Sequence, residues 1–256
     1  MPILCANHKT FMTKTAEPPQ RGCLYLIPVP LSEGAGTTHL PQAVVAQVRV
    51  LSHFVVEEAK TARRILKQFG HPTPLAQLHM ATLNEHTLAA DVAALLQPLG
   101  AGFDVGLMSE AGCPAVADPG AQLVRLAHQQ GYTVVPMVGP SSILLALMAS
   151  GLEGQRFAFQ GYLPVDAPAR RARIEQLEKR SRSARETEIL IETPYRNAAL
   201  LGALLDTLSP DVLMCVACDL TGPQQRIRTA TIAQWRKTSQ ILPERTPAVF
   251  LFLAAC

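Results

Sequence analysis

A run of small residues in the first half of the chain is well suited to hold a ligand. It covers residues 104–120 and reads DVGLMSEAGCPAVADPG. The first five residues are typical of a buried strand, and Asp118, Pro119 and Gly120 predict the start of a helix. Small residues after a strand let a ligand lie against backbone N–H and C=O groups, at the sheet edge where α/β proteins bind their ligands. A tight turn without a ligand has the same composition, so this motif alone leaves both alternatives open.

A second stretch of this kind covers residues 134–152 and reads VVPMVGPSSILLALMASGL. A strand ends and a helix begins within it, so backbone N–H groups without helical partners lie beside two hydroxyl groups. Serines at this position also serve as simple helix caps. The presence of both stretches in one chain favours a shared site. The residues at this turn are Gly139, Pro140, Ser141 and Ser142.

The segments that carry these stretches alternate between strand and helix. Alternation of this kind favours parallel strands joined by right-handed crossovers. We expect the helix at 141–150 to be capped by Ser141 and to end at Gly151. The predicted strands are 22–30, 53–56, 78–80, 104–108 and 133–136, and the predicted helices are 40–50, 61–69, 87–99, 122–130 and 141–150.

The pattern changes between residues 151 and 155. We therefore predict an N-terminal α/β domain over 21–152 and a C-terminal α/β domain over 153–256, preceded by a disordered tail over 1–20. The second half is expected to hold strands at 157–159, 188–192, 212–217 and 249–254, helices at 170–179 and 197–208, and a further segment at 227–236.

Composition supports an α/β protein with a sizeable core. The chain has 256 residues, of which 48% are hydrophobic and only 5% aromatic. Its net charge of +3 is too small for a global nucleic-acid-binding surface, so any RNA contact must be local. Neither a secretion signal nor an apolar run of about 18 residues is present, which predicts a cytoplasmic protein without a membrane partner.

The six cysteines are scattered and lie partly in apolar runs, which is typical of core residues in a reducing compartment. Cys215 and Cys218 form a C-x-x-C pair. On a strand, residues three apart point to opposite faces, and no second pair follows at zinc spacing. We therefore predict no metal site.

The two small-residue stretches together resemble the paired signature of the tetrapyrrole methylase family. They are most similar to its ribosomal RNA small subunit methyltransferase I branch, whose runs read S-D-A-G-x-P-x-x-x-D-P-G and G-P-S. Further similarities are collinear from about residue 22 to 254, and they are LYLIPVP, FVVEEAKTARRILKQFG, FAFQGYLP and ILIETPYRN.

This resemblance implies two α/β lobes of the class III methyltransferase type, with S-adenosyl-L-methionine in the cleft between them and a homodimer as the assembly. Backbone contacts are expected to dominate, which fits Cys113 standing where that branch often has threonine. The implied cofactor-binding residues are Pro28, Pro30, Ser109, Glu110, Ala111, Gly112, Cys113, Pro114, Gly139, Pro140, Ser141, Ser142, Thr193, Pro194, Ala217, Leu220, Pro247 and Ala248.

The resemblance also implies methyl transfer to RNA, at the ribose 2′-hydroxyl of a cytidine in the small subunit. The protein must align the hydroxyl with the methyl–sulfur bond and exclude water. A base would receive the hydroxyl proton. The candidates for this role are Glu57, Glu58, Glu85 and His86.

Two basic clusters are candidates for contact with RNA phosphates, although solvated helix faces have the same composition. The first is Arg63, Arg64 and Lys67, and the second is Arg170, Arg171 and Arg173.

The chain departs from the branch in two places. Residues 30–34 read PLSEG where the branch has Pro-Ile-Gly-Asn-Leu, and residues 57–60 read EEAK where it has Glu-Asp-Thr-Arg. Both departures fall where the substrate is expected to enter. Two alternatives therefore stay open: methylation of a tetrapyrrole or another small molecule, and a cofactor-binding paralogue without catalysis. The porphyrin-type Gly-Gly-Asp-Pro turn is absent, which argues against the first of them.

Overall fold

The computed structural model describes residues 21–238 and 245–254. The predicted tail at 1–20 lies outside the described residues. Two five-stranded sheets form the framework, with helices packed on them. The predicted α/β class is therefore confirmed.

The first sheet is entirely parallel, as the alternation of elements predicts. Its strand order is β3-β2-β4-β1-β5, so β1 lies between β4 and β5. This order places the carboxyl ends of β4, β1 and β5 side by side. The strands are β1 (Cys23–Ile27), β2 (His53–Val56), β3 (His79–Thr82), β4 (Val105–Met108) and β5 (Thr133–Pro136).

Six α-helices and three short 3-10 helices belong to the described part of the first half, and the single helix expected at 87–99 is broken into three pieces. Pro98 lacks the N–H that would continue a helix, but it is tolerated in the first turn of a new one. Short 3-10 helices cover Glu33–Ala35, Leu75–Gln77 and Ala93–Leu96. The α-helices are α1 (Gln42–Val48), α2 (Ala59–Gln68), α3 (Ala89–Val92), α4 (Gln97–Gly100), α5 (Ala121–Gln129) and α6 (Ser142–Ser150).

The second sheet is mixed, with order β6-β7-β10-β8-β9 and only the β6–β7 pair parallel. The edge strand β9 was not predicted from the sequence. It alternates charged and small residues and forms an edge, where polar side chains are tolerated. The strands are β6 (Phe157–Gly161), β7 (Thr187–Ile191), β8 (Leu213–Cys218), β9 (Arg226–Thr231) and β10 (Ala248–Leu253).

Three α-helices and a 3-10 helix complete the second half. The charged helix is longer than predicted, because the Asp166 side chain accepts a hydrogen bond from Ala169 N at 3.0 Å and caps it earlier. The helices are α7 (Ala167–Ala184), the 3-10 helix Pro194–Arg196, α8 (Asn197–Thr207) and α9 (Ile232–Arg236).

Helix α6 ends the first half but packs on the second sheet. Ile143, Ala146 and Leu147 share an apolar cluster with Cys215, whereas Cys218 belongs to the cluster on the other side of that sheet. The two cysteines therefore point to opposite faces, as their spacing on a strand predicts. The division into domains at 152 stays a prediction.

Two further findings concern the described part of the chain. None of its helices combines the length and apolar character needed to cross a bilayer. Within residues 21–238 and 245–254, no group of three or more His, Cys, Asp or Glu side chains is arranged to hold a metal ion.

Candidate functional site

Three loops meet at the carboxyl edge of the first sheet. They follow β4, β1 and β5, and they contain most of the residues singled out in the first half of the sequence. Val29 N donates to Gly112 O at 2.8 Å, and Gly112 N donates to Val29 O at 3.2 Å. Cys113 Sγ donates to Pro140 O at 3.5 Å. These contacts join all three loops into one wall.

Two glycines allow this close approach. Gly112 has a φ of +73°, and a Cβ there would lie 3.2 Å from Leu31 Cδ2. A Cβ on Gly139 would overlap Pro28 and lie 3.1 Å from Leu40 Cδ2. Pro28 and Gly139 therefore serve the packing of the wall, and neither lines the cleft beside it.

The loop after β4 also carries backbone strain. Ala115 and Ala117 adopt left-handed φ values of 65° and 64°, which are costly for residues with a Cβ. Strain of this kind persists where the surrounding structure holds it, and it clusters at functional sites. The conformation turns the chain sharply just before Asp118.

A cleft lies between this wall and the second sheet, in two compartments of about 120 and 220 Å³. Ala111, Ser142, Tyr162 and Ile191 line both compartments, so the two form one bent cleft. The smaller is completed by Gly112, Cys113, Val116, Ala117, Asp118, Ser141 and Ile143. The larger is completed by Leu31, Glu192, Ala217, Asp219, Leu220, Pro247, Ala248 and Val249.

Nine of the eighteen predicted cofactor-binding residues therefore line the cleft. They are Ala111, Gly112, Cys113, Ser141, Ser142, Ala217, Leu220, Pro247 and Ala248. The others do not line either compartment, and they are Pro28, Pro30, Ser109, Glu110, Pro114, Gly139, Pro140, Thr193 and Pro194.

Ser141 stands at the start of α6 as predicted, but its hydroxyl makes no capping hydrogen bond. The expected end of the helix is confirmed, since Gly151 follows it with a left-handed φ of 69°. The Ser141 side chain lines the smaller compartment instead of closing the helix.

The second half closes the cleft with two loops that hold each other. Asp219 N donates to Pro247 O at 2.9 Å, and Asn197 Nδ2 donates to Thr246 O at 2.8 Å. Asp219 and Thr221 have left-handed φ values of 47° and 67°. The Thr221 hydroxyl and Asn197 Oδ1 are buried without a hydrogen-bond partner among the described residues. Buried polar atoms are usually hydrogen-bonded, so these two are exceptions within the described residues.

Thr193 and Pro194 follow β7 and open the 3-10 helix Pro194–Arg196 beside the cleft. Glu192, just before them, lines the larger compartment and is almost fully buried. Its Oε1 accepts from Thr193 N at 2.8 Å, and its Oε2 lies 2.7 Å from Arg196 Nη2. The ion pair explains how this carboxylate is tolerated in the interior.

Other carboxylates lie near Asp118, which lines the smaller compartment. Burial is the largest cause that raises the pKa of Asp118, and repulsion by Glu57 and Glu110 adds to it, so that this pKa is about 7 despite a hydrogen bond from Ser109. Burial also raises the pKa of Glu57, against a 3.3 Å hydrogen bond from Glu110 N. Strongly shifted carboxyl groups in a cleft are typical of functional sites.

Only one of the four predicted bases joins this group. Glu57 does, whereas Glu58 caps α2, where its carboxylate accepts from Thr61 N at 2.7 Å and hydrogen bonding lowers its pKa. The side chains of Glu85 and His86 are 84% and 83% exposed and lie 3.6 Å from each other. None of the four predicted bases, Glu57 included, lines either compartment.

Two important site residues were missed at the sequence level. Asp118 was interpreted only as the start of a helix, and Tyr162 was quoted only within the FAFQGYLP run. Burial and the negative charges of Asp118, Glu192 and Glu57 raise the pKa of Tyr162. The aspartate in the small-residue motif was the available signal for the first; nothing in the sequence indicated the second.

The fold is that of an α/β protein with a cleft between its two sheets. Residues 24–235 match the family model described as "Tetrapyrrole (Corrin/Porphyrin) Methylases", and the chain belongs to this family. It is a methyltransferase.

Three similar proteins illustrate this membership. "Ribosomal RNA small subunit methyltransferase I" of Vibrio cholerae is 31% identical over 211 residues, which cover 82% of this chain and 69% of the relative. The protein of that name from Mesorhizobium japonicum is 33% identical, over 84% of this chain and 69% of its own. The solved uroporphyrin-III-C-methyltransferase of Thermus thermophilus has a TM-score of 0.55 at 18% identity, covers 91% and 94% of the two chains, and shows the shared fold.

Proposed function

We propose that this methyltransferase transfers a methyl group from S-adenosyl-L-methionine to RNA, at the ribose 2′-hydroxyl of a cytidine in the small ribosomal subunit. The observation that carries the proposal is the cleft, in which small-residue loops and carboxylates from both sheets converge. The names of the relatives, which cover most of this chain, support the choice of ribosomal RNA.

The lining of the cleft fits this methyl donor. Apolar side chains such as Leu31, Leu220 and Val249 suit an adenosyl group, and small residues such as Ala217 leave room for it. Asp118, Glu192 and Asp219 place negative charge where a sulfonium and an ammonium group would be stabilised.

The donor supplies an already activated methyl group, so the task of the protein is to bind, orient and exclude water. The wall of three loops, whose close packing depends on Gly112 and Gly139, forms one side of the cleft. Helix α6 connects this wall to the second sheet. Glu192 is held in one orientation by Arg196. A preorganised cleft of this kind avoids reorganisation at the moment of reaction.

Helix α2 is the better of the two candidate RNA surfaces. Arg63 and Lys67 are exposed on it, and Glu57 immediately precedes the residue that caps it. In the other cluster, Arg171 pairs with Glu175 at 3.3 Å and Arg173 donates to Gln160 and Gln176. Replacing Arg63 and Lys67 by Gln should weaken RNA binding and reduce its salt dependence, whereas the same change at Arg171 should have little effect.

We further propose a homodimer and a cytoplasmic location, where the ribosomal substrate is found. Support for self-association comes from Leu144 and Met148, one turn apart on α6 and 57% and 77% exposed. Light scattering of the wild type and of a Leu144→Glu/Met148→Glu variant tests this. A dimer that persists in the variant would exclude this surface, and a wild-type monomer would exclude the dimer.

The function is tested by methyl transfer from tritiated S-adenosyl-L-methionine to small ribosomal subunits from a strain that lacks the protein. Label in a cytidine ribose supports the proposal. Label in uroporphyrinogen alone would replace RNA by a tetrapyrrole as the substrate. Binding of S-adenosylhomocysteine without any transfer would indicate a paralogue without catalysis, and no binding would reject the cofactor itself.

A further inference from the structure

We propose that Asp118 accepts the proton of the hydroxyl group that is methylated, and that Ser109 positions its carboxylate. This inference rests on the proposed function. It assigns the role of base to a residue that was not among the four candidates from the sequence. It follows from where Asp118 lies, from what surrounds it and from how its backbone is held.

The placement of Asp118 is the first argument. Its side chain lines the smaller compartment together with Ser142 and Tyr162, which also line the larger one. These shared residues mark where the two compartments adjoin, so Asp118 lies in the compartment next to the place where a donor in one and an acceptor in the other would meet. Proton transfer requires this closeness before any question of acidity arises.

The backbone around Asp118 is the second argument. Ala117 on one side has a φ of 64°, and Gly120 on the other has a φ of 133°. A Cβ at Gly120 would lie 2.9 Å from Leu107 Cδ2, so the turn is pressed against the buried strand β4. A costly conformation held in this way fixes the direction of the Asp118 side chain.

The neighbours of Asp118 are the third argument. Glu57 comes from the end of β2, Glu110 and Cys113 from its own loop, and Tyr162 from the loop after β6. Burial, and then the negative charges of Glu57 and Glu110, raise the pKa of the Asp118 carboxyl to about 7. A base is most effective when its pKa lies near the working pH. Glu58 has a lowered pKa and is fully exposed, so it is the weaker base.

Ser109 holds this carboxylate. Its hydroxyl hydrogen-bonds to Asp118 and lowers the pKa, although burial and charge repulsion outweigh it. The same oxygen lies 3.3 Å from Ala111 O. Since a hydroxyl has one proton to donate, the two acceptors compete for it, and ionisation of Asp118 draws the proton to the carboxylate.

The proton balance of the transfer is simple. The acceptor oxygen forms a bond to the methyl carbon, the electron pair of the broken methyl–sulfur bond stays on sulfur, and the hydroxyl proton passes to an Asp118 carboxylate oxygen. The protonated carboxyl then releases that proton to water. No oxidant, reductant or metal takes part.

The variant Asp118→Asn tests the proposal, with Asp206→Asn on the exposed face of α8 as the matched control. We expect the single-turnover rate of methyl transfer to fall by about 10²–10⁴-fold, with the affinity for S-adenosylhomocysteine close to that of the wild type. The wild-type rate should rise with pH through about 7, and this rise should be absent from the variant. A variant that keeps both the rate and the pH profile would overturn the proposal, as would an affinity loss that accounts for the whole rate loss.

A thermal melt gives a second result that does not need activity. The folded-state pKa of Asp118 is raised from 3.8 to about 7, so the folded protein binds the proton more tightly than the unfolded chain. Stability is therefore lost as the pH rises between these two values. Asn cannot ionise, so the melting temperature of the variant relative to the wild type should increase over this range. A difference that is independent of pH would contradict the assignment.

Ser109→Ala separates positioning from proton transfer. This variant lacks the hydrogen bond that stabilises the ionised form of Asp118. Its rate of methyl transfer should therefore rise at a higher pH than that of the wild type, and its maximal rate should fall less than in Asp118→Asn. Ser183→Ala, an exposed serine on α7, should move neither. An unchanged profile in Ser109→Ala would exclude the positioning role.

The proposed function and this inference fail in different ways. If the wild type does not methylate ribosomal RNA, the proposed function is wrong. If the wild type is active and Asp118→Asn is unaffected, only this inference is wrong.

Discussion

The first sheet has a cavity at each edge, and the larger of them is the less promising site. At the edge where β2 and β3 begin, a cavity of about 480 Å³ is lined mainly by apolar groups and by His53, His79 and Phe103. The cleft at the carboxyl edge is smaller, but it is lined by Asp118, whose pKa is raised to about 7 by burial and by the nearby charge of Glu57. The comparison teaches that a carboxyl group with a shifted pKa is a better guide to the site than the volume of a cavity.

Blocking each cavity in turn gives the largest contrast. Ala111→Trp places a large side chain in both compartments of the cleft and should abolish binding of S-adenosylhomocysteine and methyl transfer. Ala101→Trp fills the cavity at the other edge and should leave both unchanged. Isothermal titration and single-turnover assays measure the two properties. The reverse pattern would move the site to the larger cavity.

Gly139→Ala should have the next largest effect, because its methyl group overlaps Pro28. We expect the unfolding free energy to fall by about 1–3 kcal/mol and the affinity for S-adenosylhomocysteine to decrease as the wall shifts. Gly154 has open space around its Cβ position, so Gly154→Ala is the control. Urea denaturation and titration measure both. Equal behaviour of the two variants would mean that the wall adapts freely.

Glu57→Gln should change the pH profile more than the maximal rate. Its negative charge is one cause of the raised pKa of Asp118, so its loss should lower that pKa and extend activity to lower pH. Rates measured between about pH 5 and pH 9 show the shift. A loss of activity across the whole range would instead assign Glu57 the role of base.

The smallest effect is expected at the other edge. Burial, and then the neighbouring His79, lower the pKa of His53, so stability falls as the pH drops below the unfolded-state value near 6.5. His53→Gln should flatten this dependence in thermal melts and leave methyl transfer unchanged. The histidine rings lie 4.5 Å apart, so some loss of packing at neutral pH is expected as well.

The sequence predicted the first sheet more completely than the second for a physical reason. Parallel strands joined by helices are specified by local alternation, whereas β10 pairs with β7 and β8 that precede it by long stretches of chain. The edge strand β9 has no apolar run to indicate it. Its sequence RIRTAT gains its structure only from β8.

The candidate site was also predicted only in part. Glycines and prolines in tight turns have local signatures, and these led to the loops at 109–114 and 139–142. The raised pKa of Asp118 is not a local property, because its burial and its approach to Glu57 arise only in the folded chain. The exposure of Glu85 and His86 is equally a tertiary property that their spacing could not indicate.

Helix α6 has a consequence for how molecules enter and leave. Its first residues, Ser142 and Ile143, border the cleft, while Ala146 and Leu147 are embedded in the core of the second sheet. Rotation of the two halves away from each other would pull these apolar side chains into water, at about 25 cal/mol for each Å² uncovered. We therefore expect ligands to enter and leave by local rearrangement of the surrounding loops, while the two halves stay packed together through α6.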